Sequence, residues 1–217
     1  MWSPHSIDNG RLAGLLLLAL VALGGCASGP RPAADGSGET GANGKPLVTR
    51  EVTPEAQTLY EQAVASMASG DAIDAELRFQ EFLLQYPDFP GAHVNLAIIF
   101  ADRDDLQAAE NSLTDALIID PEHVPALNQL GLVLRRQGKF VEAESAYSRA
   151  IAADPDYAFA HYNLAVLNDL YLQRLGVALT HYERYQALAG EDKQVTRWIA
   201  DLKRRIESAQ RAANVTE

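Results

Sequence analysis

Three side-chain amides stand at a fixed interval: Asn95, Gln129 and Asn163, since 95 + 34 = 129 and 129 + 34 = 163. A side-chain amide offers both a donor and an acceptor, so a column of them suits an extended peptide backbone. Arg135 and Arg136 form an adjacent cationic pair in the same stretch, and guanidinium groups pair well with carboxylates. Residues suited to bond-making chemistry are scarce. His93 and His161 lie two intervals apart, His123 falls in a turn and His181 on a later helix, so they read as wall residues. No HExxH, cysteine pair or glycine-rich phosphate loop occurs, and no serine sits in a nucleophile elbow. The residue types therefore point to recognition. No enzyme activity, metal or cofactor is expected.

The elements that position these residues are read best in Val124–Tyr157, where Leu127, Leu130, Leu134 and Gln137 recur at helical spacing. Gly138 breaks the helix, and Ala143, Tyr147, Ala150 and Ile151 recur on a second one. Asp154-Pro155 stops it, because proline lacks an N–H and restricts the residue before it. Gly131 and Ala143 let the two helices approach, with Tyr147 and Phe140 filling the space beside them. Subtracting 34 once and twice preserves the order. Gly131 maps to Ala97 and Ala63, Gly138 to Asp104 and Gly70, Ala143 to Ala109 and Ala75. Tyr147 maps to Leu113 and Phe79, and Pro155 to Pro121 and Pro87. Adding 34 takes Leu130 to Leu164 and Gly131 to Ala165, but Ala178, Tyr182 and Tyr185 fall one place late, so LYLQRLG holds a longer turn or an extended first helix.

A period of 34 with this order of large and small residues resembles the tetratricopeptide repeat (TPR). The resemblance spans four units, at about 56–89, 90–123, 124–157 and 158–191. It implies an all-α fold, a right-handed α-solenoid of four helix-turn-helix repeats. Val195, Trp198, Ile199, Leu202 and Ile206 form one apolar stripe on a further helix at 192–212, which caps the stack. Lys193, Arg197, Lys203, Arg204, Arg205 and Arg211 lie mostly off that stripe, as a solvated face. The first unit fits least well, with Gln62 and Ser66 where large apolar residues are usual. In the family, first helices line a concave groove that binds a protein or peptide partner. Carried over by repeat position, the groove residues are Tyr60, Glu61 and Val64, then Val94, Asn95 and Ile98. The third unit supplies Asn128, Gln129, Leu132, Arg135 and Arg136, and the fourth Phe159, Tyr162, Asn163 and Val166. The paired lysines of chaperone-binding members are not evident.

The net charge of −11 excludes a nucleic-acid partner, since phosphate binding needs a basic face. The amino-terminal stretch has a different character. Arg11 precedes an apolar run, Leu12–Leu23, whose 12 residues are fewer than the roughly 20 a spanning helix needs. That is the length of a signal-peptide core. Leu23-Gly24-Gly25-Cys26 then resembles the bacterial lipobox, although Gly24 is not the commonest residue at its position. The resemblance implies a signal peptide at 1–25 and acylation of Cys26, the only cysteine, with several acyl chains giving stable anchoring. Ala27 favours the outer membrane, where an aspartate would favour the inner. Residues 26–53 read as a Gly-, Pro- and Ser-rich linker, expected to be disordered, and 54–212 as the repeat domain. The fourth unit and the segment after it resemble the end of small TPR proteins of pilus or TonB-type envelope systems. Two functions follow as expectations. One is a periplasmic scaffold or adaptor for an envelope complex. The other is an adaptor or regulator of peptidoglycan-modifying enzymes.

Overall fold

The computed structural model describes residues 52–215, so the signal peptide expected at 1–25, Cys26 and nearly all of the expected linker lie outside the described residues. Among the described residues there are nine helices and no strand. They are α1 (Pro54–Ala68), α2 (Ala72–Gln85), α3 (Pro90–Asp102), α4 (Leu106–Ile119), α5 (Val124–Arg136), α6 (Phe140–Ala153), α7 (Ala158–Leu170), α8 (Leu175–Ala189) and α9 (Lys193–Val215). The last helix runs three residues past the position expected from its apolar stripe.

The helix ends repeat with the sequence. The second helices stop at Tyr86, Asp120 and Asp154, each followed by proline. Asp71 and Asp105, 34 apart, cap α2 and α4 by accepting from the Asp74 and Ala108 amides at 3.0 and 3.1 Å. Within each of the first three hairpins the tight turn centres on a residue of positive φ: Gly70, Asp104 or Gly138. The next amide reaches back five residues: Asp71 to Ser66 O, Asp105 to Phe100 O and Lys139 to Leu134 O. In the fourth hairpin the positive φ falls at Gln173, and Arg174 N–H reaches back six residues to Asn168 O. One residue has been inserted in that turn, which is why Ala178 and Tyr182 arrive one place late.

Packing follows the small-and-large order. A Cβ placed on Gly131 would run into three atoms of the Tyr147 ring, which is fully buried. Ala63, Ala97 and Ala165 occupy the matching places and are also buried. The core is a series of clusters. Ala56, Ala63, Ala75, Phe79 and Phe82 of the first hairpin are joined by Ala92, Leu96 and Ile99 of α3. Val94, Ala97, Ala109, Leu113 and Ala116 are joined by Ala126 and Val133 of α5. Ala165, Val166, Ala178 and Tyr182 are joined by Val195, Ile199 and Leu202 of α9. Each hairpin is completed by the helix that follows it.

A polar ladder runs beside the clusters. Glu76, Glu110 and Glu144, each 34 residues apart, pair with Arg103, Lys139 and Arg174 from the following hairpin's turn. Exposed pairs of this kind contribute about 0–1 kcal/mol each.

Two predictions arise from these contacts. Gly131→Ala should lower the denaturation midpoint, because overpacking costs about 1–3 kcal/mol against about 1 kcal/mol gained from alanine in a helix. Adding Tyr147→Leu, the residue type at Leu113, should restore part of the loss; an unchanged midpoint in the single variant would disprove the contact. Gln173→Gly should raise stability by roughly 1 kcal/mol, since glycine reaches the left-handed region without the cost to a Cβ. Equilibrium urea titration reads that change.

Candidate protein-binding face

The first helices form one side of the stack. α3 packs on α5 and α5 on α7, whereas no comparable contact joins α4 to α6 or α6 to α8 among the described residues. Closer spacing on the first-helix side bends the stack so that this side is the inner one. The residues assigned to it by repeat position divide into three groups.

Val94, Asn128, Asn163 and Val166 are buried in the helix contacts. They shape the face from beneath and offer no surface to a partner, which corrects the expectation for these four. The Asn163 amide donates to Asn128 Oδ1 at 2.9 Å, so the two satisfy each other across adjacent hairpins. Asn95 is likewise engaged, donating to the Tyr60 hydroxyl at 2.8 Å. Burial pushes the Tyr60 phenol up, with the Asn95 bond pulling the other way. The amides at 34-residue intervals are therefore not equivalent. Gln129 is half-buried and its amide makes no side-chain hydrogen bond among the described residues, while Asn95 and Asn163 are rungs between hairpins.

The arginine pair also divides. Arg136 turns to the preceding hairpin, donating to Ala101 O at 2.8 Å and to Asp104 at 2.9 Å. It ties one turn to the next and is not available as a groove cation. Arg135 is half-buried, lies over the Tyr171 ring at 5.9 Å, and has no carboxylate partner among the described residues.

Tyr60, Ile98, Gln129, Leu132, Arg135, Phe159 and Tyr162 remain part-exposed on the first-helix side. Ile98 and Leu132 lean on the cores below them. Phe159 meets Tyr157 edge-on at 5.9 Å. Tyr162 joins Tyr182, Tyr185 and Trp198 in an aromatic group reaching from α7 to α9, and burial pushes its phenol up, keeping it neutral. Two participants were not found in the sequence. Asp169 is buried and accepts from Arg205 at 2.8 Å, bridging α7 to α9. Its signal was its position: 135 + 34 = 169, the place Arg135 fills one unit earlier. Tyr171, under Arg135, lies in the lengthened turn where the period fails.

No group of three or more His, Cys, Asp or Glu side chains able to hold a metal occurs among the described residues. His161 and His181 do meet, Nδ1 to Nδ1, at 3.0 Å, and His161 Nε2 faces Pro155 O at 3.1 Å. A carbonyl only accepts, so His161 carries its proton on Nε2 and its Nδ1 accepts from His181. His123 caps α5, its Nδ1 accepting from the Ala126 amide at 3.2 Å. Accepting at Nδ1 needs a neutral His123, and His181 donates from a half-buried position beside a second imidazole. Burial lowers the pKa of His181, with the neighbouring His161 adding to the shift, and burial lowers that of His123 against an opposing pull from Asp120. A base whose pKa is lowered by folding binds more protons when unfolded, so stability rises with pH across the gap. The urea midpoint should therefore fall as pH drops below about 6.5, the ordinary imidazole value. His181→Gln with His123→Asn should flatten that slope; an equally steep slope in the double variant would refute the assignment.

Known proteins agree with this geometry. Family models of the tetratricopeptide repeat match residues 60–124 and 124–157. Among curated relatives, the probable UDP-N-acetylglucosamine–peptide N-acetylglucosaminyltransferase SPINDLY of Hordeum vulgare is 41% identical over 63 residues. That match covers 29% of this chain and 7% of the relative, so the transferase activity in its name is not carried over. Among solved structures, the Pseudomonas aeruginosa pilF structure is 21% identical with a TM-score of 0.65, over 70% of this chain and 69% of that one. A MamA structure (41-end) from Desulfovibrio magneticus RS-1 is 20% identical with a TM-score of 0.62, over 76% and 92%. At those identities they speak for the fold alone. Repeats of this kind bind protein or peptide partners through a groove. The chain belongs to the tetratricopeptide repeat family and is a helical scaffold for protein–protein interaction.

Proposed function

We propose that this scaffold is a periplasmic lipoprotein, held to the outer membrane through Cys26, that serves as an adaptor in an envelope complex of the pilus/secretin or TonB type. The observation that carries the anchor is Leu23-Gly24-Gly25-Cys26 directly after the apolar run Leu12–Leu23. A short apolar core, a small-residue pair and one cysteine are the requirements of signal cleavage followed by acylation. Several acyl chains on one residue would hold the protein at a bilayer, where one chain is marginal. The spacer, residues 27–53, has the composition of a flexible tether that lets the repeats reach a partner.

The partner sits on the first-helix face. Gln129 and Arg135 are its polar contacts, among the described residues one amide without a side-chain bond and one guanidinium without a carboxylate. Ile98, Leu132, Phe159 and Tyr162 supply the apolar ones. An extended segment with an acidic residue opposite Arg135 satisfies both sets. The residues named on this face are suited to binding and orienting such a segment.

Fractionation of the native host tests the anchor: Cys26→Ser should move the protein from the membrane to the soluble periplasmic fraction, and retention at the membrane would reject acylation. Affinity capture from membranes tests the partner. The parent chain should retain a secretin or TonB-linked protein that Gln129→Arg with Arg135→Glu no longer holds. Recovery of a cell-wall hydrolase or synthase would move the assignment to the peptidoglycan adaptor. Equal capture by the double variant would remove the first-helix face as the docking site.

A further inference from the structure

The outer helices carry a surface that the first-helix face does not explain. On α2, Ile73, Leu77 and Leu84 are 70%, 59% and 86% exposed. They lie at i, i+4 and i+11, with Gln80 at i+7. That 4-3-4 spacing sets the four side chains in one line along the helix, the spacing of a helix-pairing seam. Ile118 of α4 takes the place of Leu84 one repeat on and is 74% exposed.

The repeats supply their own control. In α4 the matching line is Gln107, Asn111, Thr114 and Ile118, and in α6 it is Val141, Ser145, Ser148 and Ala152. All eight are exposed on helices of the same length, built into the stack in the same way. The fold therefore tolerates polar and small residues along this line. The residues that bind α2 into the stack, Ala75, Phe79 and Phe82, are buried on the opposite side of the helix. Three large apolar side chains on the outer line add nothing to that core, and exposed apolar residues in a row mark an interaction site.

Carboxylates outnumber cations beside the line, with Arg78 drawn to both Asp74 and Glu81. Asp74 is bonded to Arg78 at 2.6 Å, and Glu76 to Arg103. Glu81 and Asp115 occupy the same place in successive repeats, since 81 + 34 = 115. Both are exposed and neither belongs to an ion pair among the described residues. We propose that the α2–α4 ridge is a second docking surface, and that its occupant is an amphipathic helix of a partner protein with Lys or Arg on its flank. The apolar stripe of that helix lies along Ile73, Leu77 and Leu84, and its cations face Glu81 and Asp115. The carboxylates argue against a second copy of α2 in this place, because pairing the ridge with itself brings like charges together.

The test uses the full chain and two stapled helical peptides with leucine at the seam positions, one flanked by lysine and one by glutamate, read by fluorescence anisotropy. The lysine-flanked peptide should bind and the glutamate-flanked one should bind about tenfold more weakly or worse. Leu77→Gln with Leu84→Gln should weaken the lysine-flanked peptide by about tenfold or more without lowering the melting temperature. Gln129→Arg with Arg135→Glu should leave it unchanged, which separates this ridge from the first-helix face. Failure to bind either peptide, or binding that survives the leucine changes, would overturn the proposal. So would a dimer, seen by light scattering, that the leucine changes dissociate, or phosphatidylglycerol vesicles bound through the same leucines; these would make the occupant a second copy or a membrane.

Discussion

No hairpin in this chain can bury its own apolar side. Phe79 and Phe82 of the first hairpin need Leu96 and Ile99 of the second, and Tyr182 of the fourth needs Val195, Ile199 and Leu202 of α9. Everything else in the architecture answers that constraint. Hairpins must follow one another, each must present its first helix to the one before, and the last must be closed by something that is not a hairpin. α9 meets the final requirement with one apolar stripe and a polar remainder: after Ile206 its residues through Asn214 are exposed. Stability in such a stack is a chain of nearest-neighbour terms, so a weak junction is felt locally before it is felt globally.

The period of 34 made the backbone legible. It placed the turns at Gly70, Asp104 and Gly138, the close approach at Gly131 against Tyr147, and the late register of the fourth hairpin. These features depend on residue size and backbone conformation, which a repeat preserves. Side-chain partners were less legible, because they depend on which residue the neighbouring unit offers. Asn95 meets Tyr60 and Asn163 meets Asn128, but Gln129 finds no such partner among the described residues, although the three amides occupy one repeat position. Arg136 was read as half of a cationic pair, yet the turn below it offers Ala101 O and Asp104. The His161–His181 contact joins residues 20 apart across a turn whose length departs from the period, so repeat arithmetic could not find it.

The same selection explains why the first-helix face has both fixed and open polar groups. A buried amide without a partner costs about 1–3 kcal/mol, so Asn128 and Asn163, which are buried, are paired with each other. Gln129 and Arg135 are half-buried, and solvent can satisfy them until a partner does. Gln129 and Arg135, which make no side-chain hydrogen bond or ion pair among the described residues, both lie on α5. On the first hairpin the Tyr60 hydroxyl already serves Asn95, and the exposed Glu61 accepts from Gln57 on its own helix.

The fourth hairpin shows what happens when the repeat is broken. The ladder of Glu76, Glu110 and Glu144 has no fourth rung: after the one-residue shift the matching place is Leu179. The junction to α9 is instead tied by Asp169 and Arg205, with the Asp169 side chain only 10% exposed. An exposed pair contributes little, but a buried carboxylate is costly unless its cation stays in place. The last junction is therefore the one whose geometry is set most strictly. Asp169 allows α9 a position that keeps Arg205 beside it, and the apolar stripe of α9 fixes the rotation that brings Arg205 there. Trp198 shares that rotation and is carried against Tyr162 and Tyr182. In this way the pair that closes the stack also sets the aromatic end of the first-helix face.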